Sequence, residues 1–338
     1  MSAADDAKGD KMSSRRSVVK AACALLLCAG GWWQGASCAP LYPAKPITVV
    51  LPVGAGNGSD LVTRLLAQRL STQMGQAVVV DNRPGAGGVS AIKYAANANP
   101  NGYTLVIVGS LNALSQSLYK TPPYDVLRDL VPVSDIARTD LAILAAKGSK
   151  FAGFKDFIRA ARERPGRLTL GVTLLGTTGH LMAELIKARE NLDVSIVPFK
   201  TSSNLLSALI NGDVDVGFDL VAPTLGQLRA GQLRALAVGS TTRSASLPDV
   251  PTLKELGFQS YEIASTMQIA APSGTPAPII ERLNREIQIA LSQPDLQRQL
   301  REQGFTASGG TPDQARQNLA GEVAKWRSII RTTRIEQQ

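Results

Sequence analysis

The sequence predicts an α/β fold of two units, each a mainly parallel sheet with helices on its faces. Three observations carry this. From Pro46 onward, short β-branched apolar runs alternate with segments of helical periodicity, the pattern of βαβ units. Glycine-rich loops stand where strands give way to helices. After an irregular stretch around Pro122 to Pro132 the alternation resumes near Leu168, in a chain of 338 residues, enough for about two domains.

In chain order, Ile47–Leu51 reads as a buried strand, followed by a glycine loop and a helix from about Asp60. That helix places Leu61, Val62, Leu65, Leu66 and Leu70 on one face and stops at Gly75, a natural C-cap. Ala77 to Val80 is the next strand. A second glycine loop, Asn82 to Gly88, opens a helix through Ala98, and Pro100-Asn101-Gly102 turns the chain into a strand from Tyr103 to Val108. The second unit reads as strands at Leu168–Val172, Ser195–Val197, Val214–Phe218 and Leu233–Val238, with a helix from about Thr178. The last third reads as helical. Pro276, Pro294 and Pro312 stand at helix starts, where the missing N–H is harmless. The final helix aligns Leu319, Val323, Trp326 and Ile330. No low-complexity linker separates the units, so they are expected to share the chain through crossover segments.

The first 39 residues read as a secretory signal. Arg15 and Arg16 precede an apolar run from Val18 to Leu27, and small residues lead to Ala39, which fits cleavage after that position. Either Sec or twin-arginine export suits the Ser14-Arg15-Arg16-Ser17-Val18-Val19-Lys20 order. All three cysteines, Cys23, Cys28 and Cys38, lie in this leader, so the mature part carries no free thiol into an oxidising compartment. The expected location is the periplasm. Beyond Ala39 there are 31 basic and 24 acidic residues; this positive balance favours approach of an anionic ligand. The basic residues are dispersed and aromatic content is 5%, so no nucleic-acid surface is expected.

The loop from Pro52 to Asp60 is the most informative feature. Its residues Gly54, Ala55, Gly56, Asn57, Gly58, Ser59 and Asp60 lie between a strand end and a helix start, where open α/β sheets bind ligands. Glycines allow close backbone approach, and the N–H groups of the first turn favour an anion. The same residues also fit a tight turn with Ser59 or Asp60 capping the helix. The loop lacks the Gly-Lys-Ser/Thr ending of a P-loop and the third glycine of a dinucleotide fingerprint, so no cofactor is expected. Ser110 and Asn112 follow the third strand and are expected at the same crevice as neutral donors. Thr177 and Thr178 join a strand to a helix in the second unit, and Asp219 follows the strand ending at Phe218. Each has a plain capping or turn reading as well. His180 is the only histidine and no G-x-S-x-G, HExxH or CxxC motif is present, so neither a catalytic residue nor a metal site is expected.

A set of short pieces follows in order along the chain: Ser59-Asp60, then Asp81 to Gly88, Pro100 to Leu105, and Leu118-Tyr119 with Pro123-Tyr124-Asp125. It continues through His180-Leu181 with Glu184, Val197 to Lys200, Leu233 to Val238, Leu247 to Thr252, and Ala271 to Pro276. This order resembles one family, the extracytoplasmic (Bug-type) receptors of tripartite tricarboxylate transporters. It implies a two-lobed periplasmic-binding-protein (type II, Venus-flytrap) fold with two crossover strands near residues 140 and 264. One lobe would hold residues 40–140 and 265–338, the other 141–264. A small organic anion, a carboxylate, would sit between them. The Gly54 to Asp60 loop would hold its carboxylate through backbone groups and waters, with Thr177, Thr178 and Asp219 opposite. The implied partners are membrane transporter subunits. A sensor kinase is the alternative partner, and a hydrolase using Ser59 or Ser110 the competing activity. Val53, Asn57, Thr201 and the Thr266-Met267-Gln268 run depart from the family pattern near the expected cleft, which points to an unusual ligand.

Overall fold

The computed structural model describes residues 42–259 and 261–333; the expected signal segment lies outside them. The first half opens with strand β1 (Ile47–Leu51), helix α1 (Gly58–Met74), β2 (Val78–Asn82), α2 (Val89–Ala96), β3 (Thr104–Gly109) and α3 (Ser110–Leu118). β1 pairs in parallel with both β2 and β3. The apolar runs bury on both faces, with Val49, Val50, Leu51, Val106 and Val108 at 1% exposure or less, as parallel strands between helices require. α1 ends at Gly75 in the left-handed region, its N–H returning to Ser71 O.

Strand β4 (Leu130–Ala146) then runs for 17 residues, about three times an ordinary strand. Its first part, Leu130–Asp140, pairs antiparallel with β9 (Ala264–Pro272). Its last part, Leu141–Ala146, pairs with β7 (Val216–Leu220) and β8 (Leu233–Val238). β9 in turn pairs with β3. So β4 and β9 carry the chain between two sheets. The second sheet adds β5 (Thr169–Thr173) and β6 (Ser195–Phe199), with β5 parallel to both β6 and β7. Around it lie α4 (Phe154–Glu163), α5 (Thr178–Arg189), α6 (Ser202–Asn211) and α7 (Val221–Arg229).

The C-terminal part returns to the first sheet with α8 (Ala277–Leu291), α9 (Pro294–Glu302), the short strand β10 (Thr306–Ala307) on β4, and α10 (Pro312–Thr333). The Leu319, Val323, Trp326 and Ile330 face of α10 is buried and packs on α3, β4 and α5. Trp326 is fully covered, and truncating so buried an indole costs about 3–5 kcal/mol.

Two expectations need correction. The stretch to Pro132 is not irregular throughout, because β4 begins at Leu130 and contains Pro132; Pro132 sits next to the register shift between Pro132 and Ser134, where its missing N–H is tolerated. The last third is not purely helical, since it supplies β9. The apolar periodicity there is masked by Ser265, Thr266 and Gln268.

Candidate functional site

The site is built from the α1 N-terminus. Helix α1 starts at Gly58 with Asn57 as its N-cap, not Ser59 or Asp60. Asn57 Oδ1 accepts the Asp60 N–H at 3.0 Å and Asn57 Nδ2 donates to Gly54 O at 2.8 Å. This side chain therefore closes the loop on itself, satisfying an orphan donor of the first turn. Asp60 braces the loop from below. Its Oδ2 accepts the Gly56 N–H at 3.0 Å, its Oδ1 accepts Asn82 Nδ2 at 2.9 Å, and Arg64 pairs with it at 3.0 Å. Burial pushes the Asp60 carboxyl up, but hydrogen bonds from Arg64, the Gly56 N–H and Asn82, with the Arg64 charge, outweigh it and hold it at about 2. Asp60 is thus a fixed carboxylate that shapes the loop. The N–H groups of Gly58 and Ser59, the first two helical residues, have no acceptor within the helix.

Gly56, Asn57, Gly58 and Ser59 line a cavity of about 400 Å³. Its far wall comes from the second sheet: Ser202 at the start of α6, and Leu220, Ala222 and Pro223 at the start of α7. Thr139 of β4 and Ser265 of β9 complete it, so both long strands that join the sheets reach the cavity. The Ala222 N–H donates to Thr139 Oγ1 at 3.3 Å. Val53, Leu61, Gln303 and Phe305 close the remaining side. Three helix N-termini, those of α1, α6 and α7, therefore supply residues to one cavity. Each carries roughly half a positive charge, and no Lys, Arg or His lines the space. This is a setting for an anion held by partial charges and neutral donors.

The other predicted residues stand as follows. Asp219 lies inside β7, not after it, because the strand runs on to Leu220. It is 4% exposed and neighbours the cavity through Leu220 and Ser202. Burial raises its carboxyl to about 6, against the lowering effect of hydrogen bonds from the Ser202 hydroxyl and the Leu220 N–H. Its Oδ2 is buried without a partner. Ser110 is fully buried and does not reach the cavity. Its Oγ donates to Glu322 Oε2 at 2.6 Å and accepts the Thr266 N–H at 3.0 Å, tying α3 to β9 and α10. Asn112 is also buried, under the Gly88 turn. Thr177 is the N-cap of α5, accepting the His180 N–H at 3.3 Å and donating to Thr173 O. Thr178 follows it at the first helical position. His180 Nδ1 accepts the Gly176 N–H at 3.1 Å, so the only histidine holds its own loop. Gly54 and Ala55 shape the first loop without lining the cavity. Sequence reasoning missed Thr139, Ser202, Ala222, Ser265 and Phe305 as cavity residues. Only Ser202 carried a local signal, the Thr201 to Asn204 capping pattern.

Among the described residues, no group of three or more His, Cys, Asp or Glu side chains forms a metal-binding cluster. No described helix is long and apolar enough to cross a membrane.

Residues 62–335 match the family described as "Tripartite tricarboxylate transporter family receptor". The chain belongs to this family. The receptor is 36% identical to the protein BugT of Bordetella pertussis (strain Tohama I) over 297 residues, covering 87% of this chain and 91% of BugT. A solved R. palustris structure with adipate is 35% identical, with a TM-score of 0.77, covering 87% of the receptor and 99% of that chain. MatC from Rhodopseudomonas palustris, solved with bound malate, is 26% identical with a TM-score of 0.72, covering 86% and 100%. The fold of the receptor is accordingly the two-lobed periplasmic-binding-protein fold.

Proposed function

We propose that this chain is the periplasmic solute receptor of a tripartite tricarboxylate-type transporter, capturing a small carboxylate between its lobes and handing it unchanged to the membrane subunits. One lobe comprises residues 40–140 and 265–338, the other 141–264, with residues 1–39 as the export signal. The observation that carries the reading is the convergence of three helix N-termini, one from the first sheet and two from the second, on a single cavity crossed by both connecting strands. A carboxylate there would accept from the Gly58 and Ser59 N–H groups on one side and from the backbone N–H of Ser202, the first residue of α6, on the other. Contacts from both lobes favour the closed state by mass action. The adipate and malate complexes of two relatives support a carboxylate as the ligand class.

The test is isothermal calorimetry of unfolded and refolded protein against a panel of mono-, di- and tricarboxylates. The reading predicts one ligand bound per chain, unchanged after release, with Ser202→Pro, which removes the N–H at a helix position that tolerates proline, weakening it about fivefold, the worth of one hydrogen bond near 1 kcal/mol. Conversion of the ligand, or silence across the panel, would overturn it.

A further inference from the structure

A second cavity, of about 580 Å³, lies behind the strands that connect the two sheets. In the β4–β9 ribbon Thr139 pairs with Ser265 and Arg138 with Thr266. Thr139 and Ser265 line the cavity described above, whereas Arg138 and Thr266 line this one. Successive side chains of a strand point to opposite faces, so the two cavities share the ribbon as a common wall. The rear cavity also takes one wall from each side of the ribbon: Gly321 and Lys325 of α10, and Gly239 and Ser240 after β8. At the front the two sides touch, because Gly304, left-handed at φ 81° after α9, packs against Ala222 of α7. A rotation about the ribbon that parts them at the front brings the Gly239 turn and α10 together at the rear.

Gly321 is the residue that this motion explains. It stands inside the 22-residue helix α10, where glycine costs stability relative to alanine. Nothing in its surroundings requires glycine. It is exposed, its backbone is not left-handed, and a Cβ built on it meets nothing within 4 Å beyond its chain neighbours and its own helix backbone. Gly58 and Gly304 at the front are crowded by comparison, with atoms 2.9 Å and 2.6 Å from a built Cβ. The front is therefore packed and the rear stands open. A residue with no side chain is needed at Gly321 only when the rear walls meet.

Resting on the receptor reading above, we infer that the rear cavity sets the affinity of the front one, with Gly321 leaving room for the rear walls to meet when the receptor opens. A larger side chain at this position disfavours the open state and tightens ligand binding without touching the ligand. The gain is bounded by the fraction of unliganded protein that is already closed. The test is calorimetry with malate, adipate and citrate, and X-ray scattering of the ligand-free protein, on the wild type, Gly321→Ala, Gly321→Leu and Gly321→Trp. Gly321→Leu and Gly321→Trp are expected to tighten the best-bound acid about fivefold or more and to lower the ligand-free radius of gyration. Gly321→Ala is expected to change affinity less than about twofold. It raises the melting temperature through helix propensity, so it separates a stronger helix from a propped cavity. Affinities of Gly321→Leu and Gly321→Trp equal to or weaker than that of the wild type would overturn the inference while leaving the receptor reading intact. A wild type that binds no acid of the wider panel would overturn the receptor reading; the scattering then tests the inference alone, and one radius across the series would overturn it too.

Discussion

Gly304, in the turn after α9, rests on Ala222 at the start of α7: a Cβ built on Gly304 falls 2.6 Å from Ala222 Cα and 2.9 Å from its N. Apart from the connecting strands, this is a place where the α9–β10 turn touches the start of α7. Ser246 Oγ donates to Arg301 O at 3.0 Å beside it. Gly304→Ala therefore does two things. It strains a left-handed residue by about 1 kcal/mol, and it pushes the α7 N-terminus away. The prediction is a weaker ligand complex and a larger radius of gyration in solution scattering with ligand present. Unchanged scattering and affinity would show that this contact does not govern closure.

Gly58→Ala targets the other neighbour of the Phe305 turn. The backbone at the first position of a helix accepts alanine, but the methyl group must displace the buried Phe305 ring, so stability should fall by about 1–3 kcal/mol. The displaced ring narrows the cavity. Ligand affinity of the folded protein should fall about fivefold or more, near 1 kcal/mol, when measured well below the melting temperature. An unchanged affinity in folded Gly58→Ala would contradict the assignment of this glycine to the cavity.

Asp60 supplies a stability test with a defined sign. Its folded value of about 2 lies below the ordinary aspartate value of 3.8, so its contribution is full above about pH 4 and is lost as pH falls through about 2. Asp60→Asn should cost about 2 kcal/mol at pH 7 and flatten the stability profile between pH 4 and 2. Urea unfolding at pH 7, 4 and 2.5 measures this. Parallel profiles for the two proteins would contradict the bracing role.

Asp219 works in the opposite sense. Burial raises it from 3.8 to about 6, so the folded state is penalised progressively as pH rises from about 4 through about 6. Asp219→Asn should stabilise the protein at pH 8 by about 2–3 kcal/mol and have little effect at pH 4. Because Asp219 bonds Ser202 beside the cavity, its charge also opposes an anion. Binding should tighten between pH 8 and pH 5.5 with proton uptake, detectable by calorimetry in buffers of different ionisation enthalpy. A pH-independent affinity in the wild type would separate Asp219 from the ligand.

Much of the fold was legible because its signals are local. The β1 apolar run, the α1 periodicity ending at Gly75 and the prolines at helix starts each announce themselves within a few residues. Strand β4 does not, since Ser134, Asp135, Arg138, Thr139 and Asp140 interrupt its apolar pattern. They are tolerated in a strand because partners distant in sequence satisfy them: Asp135 accepts Gln268 Nε2 and Asn318 Nδ2, both at 2.6 Å. The site divides in the same way. The glycines of the loop from Gly54 to Asp60 drew attention to it, and Gly56 and Gly58 line the cavity, but the cap of α1 is Asn57 rather than Ser59 or Asp60, because Asn57 Oδ1 takes the Asp60 N–H. Ser110 was misplaced because its partners, Glu322 and Thr266, come from α10 and β9. Phe305 and Ala222 were unreadable because only the tertiary fold brings them to Gly58.

The most direct test of the receptor account is native mass spectrometry of the chain from Pro40 onward, purified from cells without unfolding. The account predicts one small organic acid per chain, released intact on denaturation and lost from a protein in which Gly58 and Phe305 are both altered. A chain that carries no acid and takes up none from the carboxylate panel, or that returns a chemically altered molecule, would contradict it.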